Sequence, residues 1–153
     1  RLYLFHMAVL SENRKARFDY AVVETLEAGI ELRGFEVKSG KAGRMNLAGS
    51  YAIARNGELW LLNAGIPPYQ TNNTPDGYDP ARSRRLLVKR AEVARLLGKL
   101  KSERLTIVPL KVYSKRGLVK LELALARPKQ KSDKRETIKK REAKRDIERT
   151  VDR

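Results

Sequence analysis

The sequence predicts a mainly β protein: a small closed or nearly closed antiparallel barrel with one covering helix and a basic C-terminal tail. Three observations carry this prediction: short alternating apolar runs separated by turn signals, one helical apolar stripe between them, and a C-terminal stretch rich in charge. The chain has 153 residues, of which 41% are hydrophobic, so one domain plus a tail is the simplest organisation. We assign residues 7–126 to the body and residues 127–153 to the tail.

The first six residues are predicted to be artificial or upstream sequence, with Met7 as the natural first residue. "RLYLFHM" is apolar, but it is too short for a signal peptide or a membrane span. His6, the only histidine of the chain, falls in this segment. We therefore expect no histidine chemistry in the body.

Two hairpins are predicted in the first half of the body. Residues 20–26 and 30–33 are rich in β-branched and aromatic residues or alternate, and the intervening "EAG" at 27–29 offers a turn. "YAIARNGELWLL" places Asn56-Gly57 between two alternating runs, which is the strongest short-range signal for a tight turn with positive φ. Each segment is expected to form an antiparallel strand pair.

A third hairpin is predicted near the end of the body, which brings the number of short strands to six. "LTIVPLKVY" and "LVKLELALA" flank Lys115-Arg116-Gly117, and the apolar residues of the second run share one face at a period of two. Pro109 interrupts the first run and cannot donate a ladder hydrogen bond. That strand is therefore expected at an edge, or with its nitrogen facing outward at this residue.

A single helix and one long loop complete the predicted body. The helix presents an apolar stripe at the spacing i, i+3, i+4 and i+7, formed by Val93, Leu96, Leu97 and Leu100. Residues 66–85 contain "PPY", "TNNTPDG" and "DP", which indicate a loop at almost every position. A loop of this length inside a compact domain is usually functional or mobile.

The charge of the chain predicts a polyanionic partner. Lys and Arg number 34 against 18 Asp and Glu, a net charge of +16, and nucleic acid is the leading candidate. An anionic membrane is the competing partner, but it would need an apolar face on a basic helix or a lipidation signal, and neither is visible. The chain has no cysteine, which fits a reducing compartment such as the cytoplasm.

The sequence does not match the motifs of catalytic or cofactor-binding sites. "GFEVKSGKA" differs from a phosphate-binding loop, because five residues separate Gly34 from Gly40 and Ala42 replaces the hydroxyl that would hold magnesium. The GxxG at 40–43 is expected to be an ordinary turn, since an RNA-clamping loop of that type joins two helices and strands surround this one. We predict a binding protein with no catalytic residue, no metal and no cofactor.

Four stretches resemble one known family. They are "NRKARFDY" at 13–20, "EAGIELRGFEVKSGKAG" at 27–43, "DPARSRRLL" at 79–87 and "SDKRETIKKRE" at 132–142. They are similar to the SsrA-binding protein (small protein B) family, and the resemblance covers nearly the whole chain from Met7. It implies an oligonucleotide-binding-type (OB-like) barrel with short helices.

The resemblance also implies a function without enzymatic activity. Members of the family are adaptors of trans-translation that bind the tRNA-like domain of transfer-messenger RNA (tmRNA) and carry it to stalled ribosomes, where the nascent peptide is tagged for proteolysis. The implied partners are tmRNA, the decoding centre and mRNA channel of the small ribosomal subunit, and elongation factor Tu through the charged RNA. We expect a monomer in the cytoplasm with no membrane contact. A ribosomal or ribosome-assembly protein with an rRNA-binding extension is the alternative.

Three residues match family positions tied to contact with the tRNA-like domain: Asn13, Glu27 and Leu87. The amide of Asn13 could hydrogen-bond a base edge or a 2′-hydroxyl, or the residue could belong to a turn. Glu27 could accept from a base amine or a ribose hydroxyl, because phosphate repels a carboxylate, or it could be a solvated hairpin end. Leu87 could stack on a splayed nucleotide or belong to the core.

Phosphate contacts are expected from basic residues of the body, with a solvated charged surface as the alternative for each one. Each neutralised phosphate adds about one unit to the salt slope of binding. The candidates are Arg14, Lys15, Arg17, Lys38, Arg82, Arg84 and Arg85.

The tail carries a helix signal without an apolar stripe. Asp133 and Glu136 form a start signal in which Asp133 caps the first turn and Glu136 reaches back, whereas Ile138 and Ile147 point in opposite directions around a helix. We predict a tail that is largely disordered when free and helical when bound. The resemblance implies that it enters the empty mRNA channel. The ribosome-contacting residues are expected to be Asp133, Lys134, Arg135, Lys139, Lys140, Arg141, Arg145, Arg149 and Arg153.

The arginines from residue 141 onward recur every four residues, so a helix would gather them on one ridge. Two positions near the start of the tail depart from the family pattern. Pro128 stands where many relatives carry a glycine, which predicts a stiffer junction of body and tail. Ser132 stands where some relatives carry an aromatic residue or a histidine, so stacking or proton transfer there is not expected.

Overall fold

The computed structural model describes residues 7–151, and within this range the chain forms seven strands and four α-helices. The strands are β1 (Met7–Glu12), β2 (Tyr20–Ile30), β3 (Tyr51–Arg55), β4 (Glu58–Leu62), β5 (Arg84–Leu87), β6 (Thr106–Lys115) and β7 (Leu118–Pro128). The helices are α1 (Arg14–Asp19), α2 (Gly34–Lys41), α3 (Arg90–Glu103) and α4 (Lys131–Val151), with a short 3-10 helix at Thr71–Asn73.

The strands close into a ring. Neighbouring strands pair antiparallel in the order β6-β3-β4-β5-β2-β7, and β7 pairs back with β6. β1 lies outside this ring and pairs with β6. The predicted mainly β, closed antiparallel architecture is therefore confirmed. The ring itself has six strands, and β1 brings the sheet to seven, one more than the sequence predicts.

Two of the three predicted hairpins are confirmed by their turns. β3 and β4 are joined by Asn56 and Gly57, whose φ angles are 53° and 76°. β6 and β7 are joined by Arg116 and Gly117, whose φ angles are 51° and 79°. Positive φ at both central residues gives the turn a twist that matches the flanking strands.

The hairpin predicted around residues 27–29 is wrong, because β2 runs unbroken through this segment. The segment pairs with β7, with Gly29 opposite Lys120. Gly29 marks a close approach of two strands, not a turn: a β-carbon built on it would lie 3.1 Å from the Cβ of Leu87 on β5. Glycine within a strand often has this role, and local sequence does not distinguish it from a turn.

The prediction lacks four elements: β1, β5, α1 and α2. β5 begins at Arg84, inside the segment predicted to be a loop. α2 includes Gly40, so a helix precedes the GxxG at 40–43 and the expectation that strands surround it is wrong. After α2, the next β-type pairing of the chain is an isolated antiparallel bridge between Asn46 and Gly65. The segment therefore still lacks the two-helix arrangement of an RNA-clamping loop.

Apolar side chains from every strand of the ring and from α3 fill the barrel interior. Of the predicted helical stripe, Val93 and Leu96 are buried and Leu100 is half-buried against the core. Leu97 exposes 38% of its surface. The predicted helix is confirmed, and its contact face is narrower than the stripe suggests.

β6 is not an edge strand, contrary to one of the two expectations for Pro109. β1 pairs with β6 from Lys111 to Lys115, and β3 pairs with it at Ile107. Pro109 lies between these two stretches and beside a bulge in the pairing with β7. Neither β1 nor β3 pairs with β6 at this residue, so the N–H that proline lacks is not needed there.

The tail forms one helix that begins shortly after the last strand of the barrel. β7 continues through Pro128, only Lys129 and Gln130 follow before α4, and α4 runs from Lys131 to Val151. The tail has the predicted helical form, and its disorder in the free protein stays a prediction. Arg153 of the predicted ridge and residues 1–6 lie outside the described residues.

Candidate nucleic-acid interface

Two residues that match the family pattern, Glu27 and Leu87, line one shallow cleft. Glu27 lies on β2 and Leu87 on β5, and these strands are neighbours in the ring. Leu87 exposes 48% of its surface, which favours an exposed contact over a place in the core. The other residues of this Glu27–Leu87 cleft are Leu26, Gly29, Val88, Lys89, Glu92 and Lys120.

Glu27 is held as an ionised acceptor. Its Oε2 accepts hydrogen bonds from the hydroxyl of Tyr113 and, at 3.3 Å, from Nζ of Lys115. The hydrogen bond from Tyr113 is the main cause that lowers the pKa of Glu27; burial opposes it, and Lys115 and Lys120 add to it. Burial and the carboxylate raise the pKa of Tyr113, so the phenol keeps its proton. An ionised carboxylate only accepts, which suits a base amine or a ribose hydroxyl.

Lys120 and Tyr113 are candidate functional residues that no sequence pattern identifies. They lie opposite each other on β7 and β6, and Lys120 lines the cleft beside Glu27 and Leu87. The alternation of β7 does indicate that Lys120 points out of the barrel. To place Lys120 beside Glu27, one must also know that β7 pairs with β2. The wrong prediction of a hairpin at residues 27–29 conceals this pairing.

Asn13 lies away from this cleft and is buried, with 2% of its surface exposed. Its Nδ2 donates to the carbonyl oxygens of Leu47 at 3.1 Å and Pro109 at 2.8 Å. Its Oδ1 accepts from the N–H of Ala16 at 3.0 Å and so caps α1. The expected contact of this amide with RNA does not fit the burial, whereas the alternative of a local structural residue does.

The exposed residues of α1 form a separate basic surface. Arg14, Lys15 and Arg17 are all exposed, and Lys15 pairs with Asp19 at 3.1 Å. Lys15 lines a second cleft, beside Tyr51, that shares no lining residue with the Glu27–Leu87 cleft. The structure therefore brings Glu27 and Leu87 together but not the α1 residues with them.

Arg82 and Arg84 belong to a buried ion-pair network centred on Glu36 of α2. Nε of Arg84 donates to Glu36 at 2.8 Å, and its other nitrogens donate to the Tyr78 hydroxyl and to backbone carbonyl groups. Arg84 has no exposed side-chain surface, so the expected phosphate contact does not fit its position. Arg82 also pairs with Glu36, but 26% of its side chain is exposed.

The same network fixes the long loop that precedes β5. Burial raises the pKa of Glu36, but hydrogen bonds from Arg82, from the backbone N–H of Arg33 and from Arg84 outweigh it and lower the pKa to about 2. The Tyr78 hydroxyl lies 3.0 Å from Glu36 and 2.7 Å from a carbonyl oxygen at the start of the loop. Because the side chains of Glu36 and Arg84 have no exposed surface, their charges position the loop instead of binding a ligand.

The remaining candidates for phosphate contact are on the surface. Arg85 pairs with Glu58 at 3.1 Å and with Glu31 at 3.6 Å, and 43% of its side chain is exposed. Lys38 is exposed on α2. The predicted phosphate-binding residues that reach solvent are Arg14, Lys15, Arg17, Lys38, Arg82 and Arg85.

The basic residues of α4 reach solvent along most of its length. Lys134 is half-buried, and the other predicted contacts within the described range are exposed: Asp133, Arg135, Lys139, Lys140, Arg141, Arg145 and Arg149. The oxygen Oδ2 of Asp133 accepts from the N–H of Gln130 at 3.2 Å. The helix starts earlier than predicted, so Asp133 reaches back from the first turn, the part expected of Glu136. The prediction that Asp133 is the cap is wrong.

Within residues 7–151, no group of three or more histidine, cysteine or acidic side chains could hold a metal ion. In the same range no helix has both the length and the apolar character needed to cross a membrane.

Comparisons with known proteins agree with one another. The family model described as SmpB protein matches residues 10–153. The SsrA-binding protein of Trichodesmium erythraeum is 50% identical over 143 residues, which are 94% of this chain and 92% of that protein. The SsrA-binding protein of Synechococcus elongatus is 51% identical over 145 residues, or 95% and 94% of the two chains.

A solved structure described as "tmRNA-SmpB: a journey to the center of the bacterial ribosome" is similar in fold. The TM-score is 0.64 at 47% identity, and the match covers 83% of this chain and 92% of that chain. The predicted OB-like fold class is confirmed by this likeness.

Proposed function

The chain belongs to the SmpB protein family, and from this membership we propose that it is an RNA-binding adaptor of trans-translation. It binds the tRNA-like domain of tmRNA and carries tmRNA to ribosomes stalled without a stop codon, so that the nascent peptide is tagged for proteolysis. It is not an enzyme. The observation that carries the proposal is the match of both body and tail, at about half identity, to proteins named SsrA-binding protein.

The Glu27–Leu87 cleft is the proposed contact with the nucleotides of the tRNA-like domain. The ionised carboxylate of Glu27 accepts from a base amine or a ribose hydroxyl, and the exposed side chain of Leu87 packs against the face of an unstacked nucleotide. Lys120 on the same cleft balances the carboxylate, which lowers the repulsion between Glu27 and nearby phosphates.

The predicted cations of the body that reach solvent are the proposed phosphate contacts. They are Arg14, Lys15, Arg17, Lys38, Arg82 and Arg85. Asn13 and Arg84 are buried and take positioning roles, because Asn13 caps α1 and Arg84 fixes the loop before β5. Their effect on RNA binding is therefore indirect.

The tail is proposed to enter the empty mRNA channel as a helix. α4 has no buried side chain, and its exposed cations are spread along its length. A helix that buries no apolar face on protein is suited to a polyanionic wall. Arg141, Arg145 and Arg149 recur one turn apart and present one ridge to such a wall.

The proposal also covers the oligomeric state, the location and a further partner of the protein. The protein acts as a monomer in the cytoplasm, where translation takes place, and it meets elongation factor Tu through the charged RNA. A ribosomal or assembly protein is the less favoured function, because the relatives matched along nearly the full chain are named SsrA-binding proteins.

Truncation after Lys131 tests the proposed division between body and tail. The truncated chain keeps the barrel and is expected to bind tmRNA with an affinity within about twofold of the full chain, because the phosphate contacts of the body remain. In reconstituted translation of an mRNA without a stop codon, the same chain is expected to support no tagging. A chain that loses tmRNA binding on truncation, or that prefers rRNA fragments to tmRNA in competition, contradicts the proposal.

A further inference from the structure

The outer face of the sheet carries a second carboxylate beside Glu27. Glu122 of β7 lies directly opposite Glu27 in the pairing of β2 with β7, and side chains opposite each other project from the same face. Like charges in this arrangement repel each other, so each carboxylate needs donors of its own. Nζ of Lys111 contacts Glu122 at 3.2 Å. Glu27 takes the separate donors Tyr113 and Lys115.

Tyr113 reaches Glu27 across an intervening strand. Tyr113 belongs to β6 and Glu27 to β2, and β7 runs between them. The side chain of Tyr113 therefore lies over the outer face of β7, and only 3% of the surface of the residue is exposed. Nζ of Lys111 lies 5.7 Å from the centre of the Tyr113 ring and is attracted to it electrostatically. The hydroxyl is thus supplied by a buried ring that is itself closed to a ligand.

Both protein donors use the same oxygen of Glu27. The hydroxyl of Tyr113 and Nζ of Lys115 donate to Oε2. No residue within the range 7–151 donates a hydrogen bond to Oε1, and 41% of the Glu27 side chain is exposed. A carboxylate oxygen has two lone pairs, so the two donors fill Oε2 and leave Oε1 to a ligand. Because Glu27 lines the cleft with Leu87 and Lys120, the free acceptor belongs to that cleft.

We propose that Tyr113 is a positioning residue of the RNA site: it holds Oε2 of Glu27, so that Oε1 alone reads a hydrogen-bond donor on a nucleotide of the tRNA-like domain. This role rests on the proposed function and deepens it. A glutamate side chain that is free to rotate loses that freedom on binding, and Tyr113 lowers this cost before the RNA arrives. The ligand group is an N–H or O–H donor, supplied by a base amine or by a ribose 2′-hydroxyl.

Two substitutions in the full-length protein change the positioning residue and the residue that it positions. Tyr113→Phe keeps the ring and removes the hydroxyl, and it is expected to weaken binding to RNA of the tRNA-like domain about fivefold. Glu27→Gln is expected to weaken binding about tenfold. Tyr113 and Lys115 retain the amide oxygen of the glutamine, so its NH₂ group faces the cleft and meets another donor there. Gel-shift titration measures both losses.

The double variant separates positioning from a general structural role. Because Glu27→Gln leaves no acceptor to position, Tyr113→Phe is expected to cause no further loss of affinity in that background. A residue that only stabilised the barrel would weaken binding by the same factor in either background. Equal losses in the two backgrounds, or wild-type affinity of the Tyr113→Phe protein, overturn the proposal.

Tyr69→Phe is the matched control for the removal of a hydroxyl. Tyr69 lies in the long loop and does not line the Glu27–Leu87 cleft. The substitution is expected to change the affinity for RNA less than about twofold. Urea unfolding of every variant shows that the protein is folded under the conditions of the titration.

An NMR titration of the Glu27 carboxyl carbon tests the contact in the free protein. The pKa of Glu27 is expected to lie below its ordinary value of 4.5 in the wild type and closer to 4.5 in Tyr113→Phe, because the hydroxyl favours the ionised carboxylate. An equal pKa in the two proteins overturns the positioning role. The other charged groups around Glu27 are the same in both proteins: Lys89, Glu92, Lys115, Lys120 and Glu122.

Altered RNA identifies the donor that Oε1 reads. Single nucleotides of the tRNA-like domain are given either a 2′-deoxyribose or a base without its exocyclic amine. One such change is expected to weaken binding to the wild type about tenfold and binding to Glu27→Gln less than about twofold, and its type names the donor. If every change affects both proteins equally, the reading role of Oε1 is refuted. Failure of the wild-type protein to bind this RNA refutes the proposed function instead, and the NMR titration still decides whether Tyr113 holds Glu27.

Discussion

Replacement of Glu36 by glutamine removes the charge at the centre of the network beneath the long loop. The side chain of Glu36 has no exposed surface, and it accepts hydrogen bonds from Arg82, Arg84 and Tyr78. Glutamine keeps the shape and one acceptor oxygen but turns the other oxygen into a donor that faces guanidinium donors. The variant therefore leaves the buried cation of Arg84 without its counter-charge.

The loss of stability in Glu36→Gln depends on how many guanidinium groups lose their counter-charge and cannot be hydrated instead. Removal of one partner from a buried ion pair costs about 3–5 kcal/mol. Arg84 is fully buried, whereas 26% of the Arg82 side chain is exposed and can be resolvated. We expect Glu36→Gln to lower the free energy of unfolding at neutral pH by about 3 kcal/mol, near the lower end of that range. With a urea m-value of about 1.5 kcal/mol/M, the midpoint falls by about 2 M.

Urea unfolding followed by tryptophan fluorescence measures this change. Trp60 is the only tryptophan of the chain, and it lies half-buried on β4 with the guanidinium of Arg55 5.4 Å from its ring centre. Glu58→Gln is the matched control, because it removes the same charge from an exposed pair with Arg85. The control is expected to cost less than about 1 kcal/mol.

Acidification provides a second signature of Glu36. Its pKa is about 2 in the folded protein against an ordinary value of 4.5, so its stabilising contribution is complete above pH 4.5 and is lost as the pH falls towards 2. The stability difference between wild type and Glu36→Gln should shrink across that window. A cost below about 1 kcal/mol at neutral pH, or one that stays constant down to about pH 2, refutes the reasoning.

Three further predictions concern the RNA surface and the tail. Leu87→Ala is expected to weaken tmRNA binding about tenfold in gel-shift titrations, whereas Val9→Ala, which shortens a similarly exposed side chain on β1, should change it less than about twofold. Lys38→Gln is expected to lower the slope of log affinity against log salt concentration by about one unit, and an unchanged slope excludes a phosphate contact there. A peptide of residues 129–153 lacks α1 and is expected to show little helix by circular dichroism in plain buffer; strong helicity contradicts tail disorder.

The parts of the fold that the sequence predicts correctly are those whose conformation is determined by residues close together in the chain. The turns at Asn56-Gly57 and Arg116-Gly117 need only two residues with positive φ between alternating runs. The apolar stripe of α3 needs only its own periodicity. These elements are placed correctly because no distant residue is needed to choose their conformation.

The prediction fails where a strand partner decides between two uses of the same residue. Gly29 is compatible with a turn and with close strand contact, and only the presence of Leu87 at 3.1 Å from its notional β-carbon selects the second. The resulting error hides the pairing of β2 with β7. It therefore also hides Lys120 and Tyr113, which complete the surroundings of Glu27.

The roles of the charged residues in the candidate site also depend on distant partners that the sequence does not identify. Arg82, Arg84 and Arg85 are nearly consecutive and equal in type, so composition assigns all of them to phosphate. Arg84 is instead the buried partner of Glu36, which lies 48 residues earlier in the chain. Burial of a guanidinium requires a fixed counter-charge, and the sequence does not reveal which carboxylate supplies it.

Asn13 shows that a residue at a family position tied to RNA contact can have a structural role in the fold. Its Nδ2 donates twice and its Oδ1 caps α1, so an RNA contact would require breaking buried hydrogen bonds to Leu47, Pro109 or Ala16. Loss of the cap alone costs about 1 kcal/mol, and the carbonyl oxygens left behind add to it. That cost falls on α1, the helix that carries the exposed basic residues Arg14, Lys15 and Arg17. An RNA-binding defect at residue 13 is therefore evidence about the position of α1, and a direct contact would have to be demonstrated independently.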